Sequence, residues 1–237
     1  SGQKPVWLTE VLVRFNDFLK KPVSKRGTSS ATGKAVTRKI QKNIIGVVIP
    51  CYKSSSHVLG VLERIPDMVD TVYCVDDSCP EKTGEHIQKN CKDKRVQVLM
   101  HDKNQGVGGA MVTGYRQALK DNADIIVKID SDGQMDPNII PYYIDPIAQG
   151  QADYTKGNRF YNPEFLEGMP KTRIFGNAGL SFLNKFSTGY WQIFDPTNGY
   201  TAIHANVLKL LPLDKISKGY FFESDMLFRL GILRALV

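Results

Sequence analysis

From Ile44 onward, short apolar runs alternate with helix-length segments, and that order leaves few folds open. Ile44-Ile49 is a continuous apolar run closed by Pro50, as a strand buried on both faces reads. Val58 to Met68 has the pattern of a helix, Thr71-Val75 that of a second strand, Glu81 to Cys91 a second helix and Arg95-Met100 a third strand. Gly108 to Lys120 predicts a third helix and Asp124-Ile129 a fourth strand. Pro137 to Gln149 is a further helix with proline in its first turn, followed by a strand at Tyr154-Lys156. A βαβα order implies a mostly parallel sheet with helices on both faces. Ligands of such sheets sit outside the carboxyl ends of the strands. Three strands end there in polar chemistry: Pro50-Cys51-Tyr52, Asp76-Asp77 and Asp130-Ser131-Asp132. After Arg159 the pattern turns to helices and loops, among them Lys171 to Phe186 and Glu223 to Leu236, an extension of the same domain. The chain stops at Val237 inside an apolar, helix-like run with no cap, so a further C-terminal part is expected.

The first 43 residues differ in kind. Trp7, Leu8, Val11, Leu12, Phe15, Phe18 and Leu19 recur at helical spacing and predict a short amphipathic helix. Lys20 to Lys42 then carries eight basic residues and no acidic one, around a Gly/Ser/Thr-rich stretch that reads as a flexible linker. Without that segment the remaining chain has 23 basic and 24 acidic residues, so the formal charge of +7 is local. A basic linker beside such a helix suits either peripheral contact with anionic lipid or a docked helix with a solvated linker. A single short helix binds membrane weakly, which favours docking. Nucleic acid is not expected as a partner, because no aromatic residue interrupts the basic run and no nucleic-acid module is visible. No run of about 18 apolar residues is present, and no signal peptide is visible. Cys51, Cys74, Cys79 and Cys91 form no CxxC pair. They read as reduced thiols of a cytoplasmic protein, which leaves a place at the inner face of a membrane open.

The segment Lys128-Ile129-Asp130-Ser131-Asp132-Gly133-Gln134 carries the strongest chemical signal. Residues i and i+2 of an extended chain point the same way, so Asp130, Asp132 and Gln134 are expected to offer three oxygens to one point. Such hard ligands suit Mg²⁺ or Mn²⁺, and an ion held by one or two carboxylates keeps positions open for substrate phosphates. The competing interpretation is a solvated acidic turn, since Ser-Asp-Gly is ordinary turn chemistry.

Other motifs are weaker alone. Asn104-Gln105-Gly106-Val107-Gly108-Gly109-Ala110 precedes a helix, and its glycines would let backbone N–H groups approach an anion. It is not a dinucleotide fingerprint, because Met111 stands where the third glycine belongs. Small residues at Ala110 and Gly114 share one helix face and suit close packing on the sheet. Asp76 and Asp77 either accept from a nucleobase or ribose, or form an acidic turn. Arg159, Lys171 and Arg173 either clamp phosphate groups or are solvated charges. Glu223 and Asp225 are either a base or acceptor-orienting group, or acids favoured at a helix N-terminus. The four histidines form no i,i+4 pair, and no nucleophile elbow is present.

Taken together, VVIPCYK (Val47-Lys53), VDDSCP (Val75-Pro80), NQGVGGAMVTGY (Asn104-Tyr115), KIDSDGQMDP (Lys128-Pro137), GNRF (Gly157-Phe160), DPTNGYTAI (Asp195-Ile203) and YFFESDM (Tyr220-Met226) resemble a family 2 glycosyltransferase. The resemblance covers Ile44 to the end. Within the family it is most similar to the polyprenyl-phosphate sugar transferases of the dolichol-phosphate mannose synthase type. It implies an α/β, Rossmann-like GT-A fold over residues 44–237.

The same resemblance implies roles. Pro50, Tyr52, Asp76 and Asp77 would hold the nucleobase and ribose, and Asn104 and Gly106 would shape that pocket. Asp130, Asp132 and Gln134 would bind the metal and through it the donor diphosphate, with Ser131 beside them. Arg159, Lys171 and Arg173 would meet phosphates. Asp132, Asp225 and Glu223 would carry the catalytic roles. The chain departs from the pattern at Lys53, where asparagine is usual, at Ser54-Ser56, where an acid is usual, and at Glu223, where glutamine is usual.

The expected activity is inverting, metal-dependent transfer from a nucleoside-diphosphate sugar to a polyprenyl phosphate. The alternatives are transfer to a glycan hydroxyl in cell-envelope polysaccharide synthesis, and a non-catalytic nucleotide-sugar-binding module. Nucleotidyl transfer to a sugar phosphate is disfavoured, because Cys51-Tyr52-Lys53-Ser54 lacks the glycine-rich basic loop that such enzymes carry after the first strand.

Overall fold

The structure, a computed structural model, describes residues 43–158, 182, 185–193 and 195–237. The amphipathic helix and basic linker read from the sequence, most of Lys171 to Phe186, and the predicted phosphate contacts Arg159, Lys171 and Arg173 lie outside the described residues.

Strands β1 (Ile45–Cys51), β2 (Thr71–Asp76), β3 (Val96–Met100), β4 (Ile125–Lys128), β5 (Tyr154–Lys156) and β6 (Thr201–His204) form one sheet in the order β3-β2-β1-β4-β6-β5. β1 lies between β2 and β4, parallel to both, and β3 is parallel to β2. β6 runs antiparallel between β4 and β5. The pattern after Arg159 predicted only helices and loops, and β6 corrects it. Thr201-Ala202-Ile203-His204 is too short for a periodic signal, and its pairing with β4, far back in the chain, supplies what the local sequence lacks.

Helices α1 (Val58–Leu62), α2 (Thr83–Asn90), α3 (Gly106–Lys120), α4 (Ile140–Ala148), α5 (Ala205–Leu208) and α6 (Phe222–Leu233) cover both faces. Alternation along the strands sorts the core. Val48, Tyr73, Val75, Ile126 and Ile203 pack with α3 and α6 on one face. Val47, Ile49, Cys74, Ile125 and Val127 pack with α1 and α4 on the other. Gly114 is the closest approach of α3 to the sheet, where a Cβ would overlap the Val48 side chain. The packing role expected of this residue is therefore present.

Helix ends differ from the periodic pattern for local reasons. α1 stops at Leu62 rather than Met68, because Pro66 lacks an N–H and disfavours helical backbone at Ile65. α6 ends at Leu233, where Arg234 turns left-handed and its N–H donates to Gly231 O while that of Ala235 donates to Leu230 O. The apolar run, expected from the sequence to lack a cap, thus carries a C-terminal motif built without glycine. Beyond it, the backbone of Leu236 bonds to Asp153 and Tyr154 and covers the edge of β5.

The sheet opens where strand order reverses, between β1 and β4. Even-numbered residues of β1 face β4, since Ile129 N–H donates to Val48 O. The N–H that Pro50 lacks would point past the last β4 pairing, so proline costs no ladder bond there. Its carbonyl instead accepts the Ser131 hydroxyl at 2.9 Å, which ties the two splayed strand ends together.

Candidate active site

A cleft of about 800 Å³ lies at this opening, lined by the ends of β1 and β4, the start of α3, the loop before β6 and the start of α6. Pro50 and Tyr52 form one wall with Asp77, Asn104 and Gly106. Asp130, Ser131 and Asp132 lie on its floor, and Glu223 comes from the opposite side on α6. These nine predicted residues are brought together from five separate stretches of chain.

The floor differs from the expected geometry. The chain leaves the extended conformation after Asp130, turns through Ser131 and Asp132, and has Gly133 at φ +79°. The i, i+2, i+4 argument therefore fails beyond Asp130: Asp130 and Asp132 still line the cleft, whereas Gln134 does not. The Gln134 N–H instead donates to Asp132 Oδ1 at 3.0 Å, an Asx turn that orients the exposed carboxylate. Among the described residues, no group of three His, Cys, Asp or Glu side chains converges as a closed metal site. Two carboxylates on one open floor nevertheless fit Mg²⁺ or Mn²⁺, which take oxygen ligands and fill remaining positions with water or phosphate.

Asp76 and Asp77 point to different places, as neighbours at a strand end must. Asp76, 1% exposed, turns beneath the sheet edge. Its Oδ1 accepts from Cys79 N at 2.7 Å and its Oδ2 from Gly84 N at 2.5 Å, so it caps the first turn of α2 and is not among the cleft-lining residues. Asp77 does line the cleft, but Gln105 N, Gly106 N and His101 Nδ1 all lie within 2.8 Å of its carboxylate oxygens. The anion at the N-terminus of α3 is thus the protein's own. The glycines there serve a second backbone: Gly108 N–H donates to Lys218 O at 2.8 Å, and Cβ atoms at Gly106 or Gly108 would overlap the Ser217-Lys218 carbonyls.

Glu223 and Asp225 are also separated. Residues two apart on a helix differ by about 200° in direction. Glu223 faces the cleft, while Asp225 accepts from Ser217 N at 2.7 Å and pairs with Arg229 at 3.0 Å. Asp225 therefore anchors the loop before α6 rather than the cleft.

The residue that the motifs did not single out is Lys128. Its side chain is 1% exposed under the floor, with Nζ 2.6 Å from Asp130 Oδ1, 3.2 Å from Glu223 Oε1 and 3.2 Å from Gly199 O. Burial works against the ammonium, but Asp130 and Glu223 outweigh it and hold its pKa above the ordinary lysine value. The available signal was a lysine in a four-residue strand whose other members are apolar, two residues before Asp130.

Gly199 is held against this group by its neighbours. The Tyr200 ring stacks on Tyr143 with centroids 4.1 Å apart, and its hydroxyl donates to Asp136 O at 3.0 Å. A Cβ at Gly199 would overlap both Lys128 Nζ and Asp130 Oδ2. Gly199→Ala is expected to displace the Asp130 carboxylate and lower turnover by roughly a hundredfold. Steady-state kinetics beside a melting curve would test this; turnover within about twofold of wild type would show that the crowding is relieved elsewhere.

The order of these elements and motifs is matched in known proteins. Residues 46–211 match the family described as glycosyl transferase family 2. The chain belongs to this family. The transferase is 31% identical over 198 residues to the UDP-N-acetylglucosamine–dolichyl-phosphate N-acetylglucosaminyltransferase of Methanococcus voltae, covering 78% of each chain. It is 32% identical over 186 residues to the undecaprenyl-phosphate mannosyltransferase of Micrococcus luteus, covering 77% of this chain and 75% of that one. Its fold is that of solved GT-A enzymes. Glucosyl-3-phosphoglycerate synthase from Mycobacterium tuberculosis, crystallised with Mn²⁺ and UDP-glucose, superposes with a TM-score of 0.60 at 21% identity, over 80% of this chain and 66% of that one. Mannosyl-3-phosphoglycerate synthase from Rubrobacter xylanophilus gives 0.61 at 16% identity, over 81% and 61%. The GT-A expectation is met, and the chain is a glycosyltransferase.

Proposed function

We propose that the transferase moves a sugar, with inversion, from a nucleoside-diphosphate sugar to a polyprenyl phosphate, with Mg²⁺ or Mn²⁺ at Asp130 and Asp132. The observation that carries the donor half is electrostatic. The described residues lining the cleft include four carboxylates, Asp77, Asp130, Asp132 and Glu223, and one ammonium, Lys128. A donor diphosphate cannot approach such a floor without a cation between them. When bound, the cation would neutralise charge developing on the departing nucleoside diphosphate.

Other parts of the chain fit the same reading. Pro50 and Tyr52 supply the wall for a base, and the capped N-terminus of α3, held by Asp77, fixes its far side. Asp76 and Asp225 serve as positioning residues for these walls. Gln134 orients Asp132 through its backbone. Arg159, Lys171 and Arg173 remain candidates for phosphate contacts.

The acceptor half rests on the relatives, whose names specify dolichyl and undecaprenyl phosphates. It also rests on Tyr220, which lines the cleft and is 99% exposed, with Phe221, 60% exposed, next to it in the chain. Large apolar rings at the mouth of a polar cleft suit an amphiphile whose phosphate enters while its chain stays outside. A phosphate acceptor is already an anion and needs no strong base, so Glu223 would act through the Lys128 ammonium that it holds rather than take a proton. Peripheral contact with the inner face of a membrane belongs to the same proposal. No helix of the described residues is long and apolar enough to cross one.

A thermal-shift and titration panel of UDP-, GDP- and dTDP-sugars with and without Mn²⁺ tests the donor, followed by product analysis with a short polyprenyl phosphate. One nucleotide should stabilise the fold only with metal, by mass action, and its sugar should appear on the lipid phosphate. Sugar appearing only on a glycan hydroxyl would overturn the acceptor, and binding without transfer to either would support a non-catalytic module.

A further inference from the structure

The Lys128 ammonium touches a carboxylate on each side of the cleft, Asp130 from the end of β4 and Glu223 from α6. These two belong to different halves of the proposed reaction. We propose that Lys128 is a positioning residue that couples them: its hold on Asp130 is weakened by the competing hold of Glu223, so that occupancy on the acceptor side sets how freely Asp130 engages the donor's cation. This rests on the function proposed above.

The physical argument begins with cost. Burying an ammonium is expensive, and a buried ion pair adds little or nothing to stability compared with an apolar residue of similar size. The rest of β4 is Ile125, Ile126 and Val127, so an apolar residue at 128 would continue a strand already buried on both faces. The group is also built to tight tolerance, since the position facing it, Gly199, has no room for a Cβ, and Gly199 O accepts from the same nitrogen. The ammonium has a donor for each of its three acceptors, but its single positive charge is shared between two carboxylates. Removing Glu223 leaves Asp130 as its one carboxylate partner, and a more firmly held Asp130 competes less well for a divalent ion. An anionic acceptor arriving beside Glu223 changes the field on the same ammonium, linking the two halves of the cleft through one buried charge.

The test is a double-mutant cycle of Lys128→Met and Glu223→Gln, read as Mn²⁺ affinity by electron paramagnetic resonance with UDP and, separately, GDP present. In the wild-type background Glu223→Gln should weaken Mn²⁺ binding about fivefold or more, and in the Lys128→Met background less than about twofold. Equal effects in both backgrounds would mean a through-space charge effect alone and would overturn the proposal. Lys128→Met by itself leaves two carboxylates facing each other, so its melting temperature should fall, and Glu223→Gln should then restore part of it. A double variant no more stable than Lys128→Met, or one that stays unfolded, would assign Lys128 to stability only. Wild-type protein that takes up no Mn²⁺ with either nucleotide would instead sink the donor-site reading itself, which separates the two failures.

Discussion

Asp132→Ala is expected to lower sugar transfer by about a thousandfold or more while leaving the melting temperature within about 2 °C of wild type. The asymmetry follows from where the residue sits. Asp132 is exposed on the cleft floor, and among the described residues its one hydrogen bond is accepted from the N–H of Gln134, two residues on. Removing it costs one local turn contact and no buried packing. Its chemical role is different in scale, because charge on a departing diphosphate is stabilised in a site partly closed to water. Circular dichroism and a melting curve establish that the variant folds, and Mn²⁺ uptake with nucleotide should fall with activity. Near-normal turnover in a folded Asp132→Ala protein would refute the assignment of the cation to this floor and leave Asp130 as an ion-pair partner of Lys128 alone.

Asp76→Ala should do the opposite. Two buried backbone donors, Cys79 N–H and Gly84 N–H, lose their shared acceptor. Leaving both unsatisfied costs about 2–5 kcal/mol, which lowers the melting temperature by on the order of 10 °C for a chain of this size. Gly84 admits no easy repair, since a Cβ there would already press on Asp76 and Met100. Asp76→Asn keeps an acceptor oxygen and should lose less. Well below its melting temperature, Asp76→Ala should bind nucleotide within about threefold of wild type, because its carboxylate faces α2 and not the cleft. A loss of tenfold or more in a folded sample would restore the direct base or ribose contact that the motif resemblance implied.

These two aspartates show what local sequence can and cannot assign. Both stand in motifs that resemble those of the family; Asp76 ends β2 and Asp132 lies in the turn that follows β4. Only Asp132 reaches the cleft. Asp76 and Asp77 are adjacent and similar in composition, and a pleated strand end must send them to opposite sides. Which one meets the cleft depends on the parity of the strand relative to the sheet faces. The same holds for Glu223 and Asp225, whose helical spacing guarantees that they diverge but does not say which turns inward.

The order of strands and helices was legible in the chain because burial on both faces demands continuous apolar runs, and turn residues mark where each run stops. Carboxylates at the ends of β2 and β4 followed from the same reasoning, and the motifs in their order resemble one family strongly enough to predict the GT-A fold. Three things required the tertiary structure. β6 is strand-like only because β4 and β5 flank it. The anion at the start of α3 is supplied by Asp77 from a strand 29 residues earlier in the chain. Lys128, which opens the acidic motif with no role of its own evident in the sequence, becomes the one cation among the described residues lining the cleft, because two carboxylates and the backbone of Gly199 close around it. Periodicity and turn chemistry are local properties and can be read along the chain, whereas the partner of a buried charge is decided by which segments the fold brings within hydrogen-bonding distance.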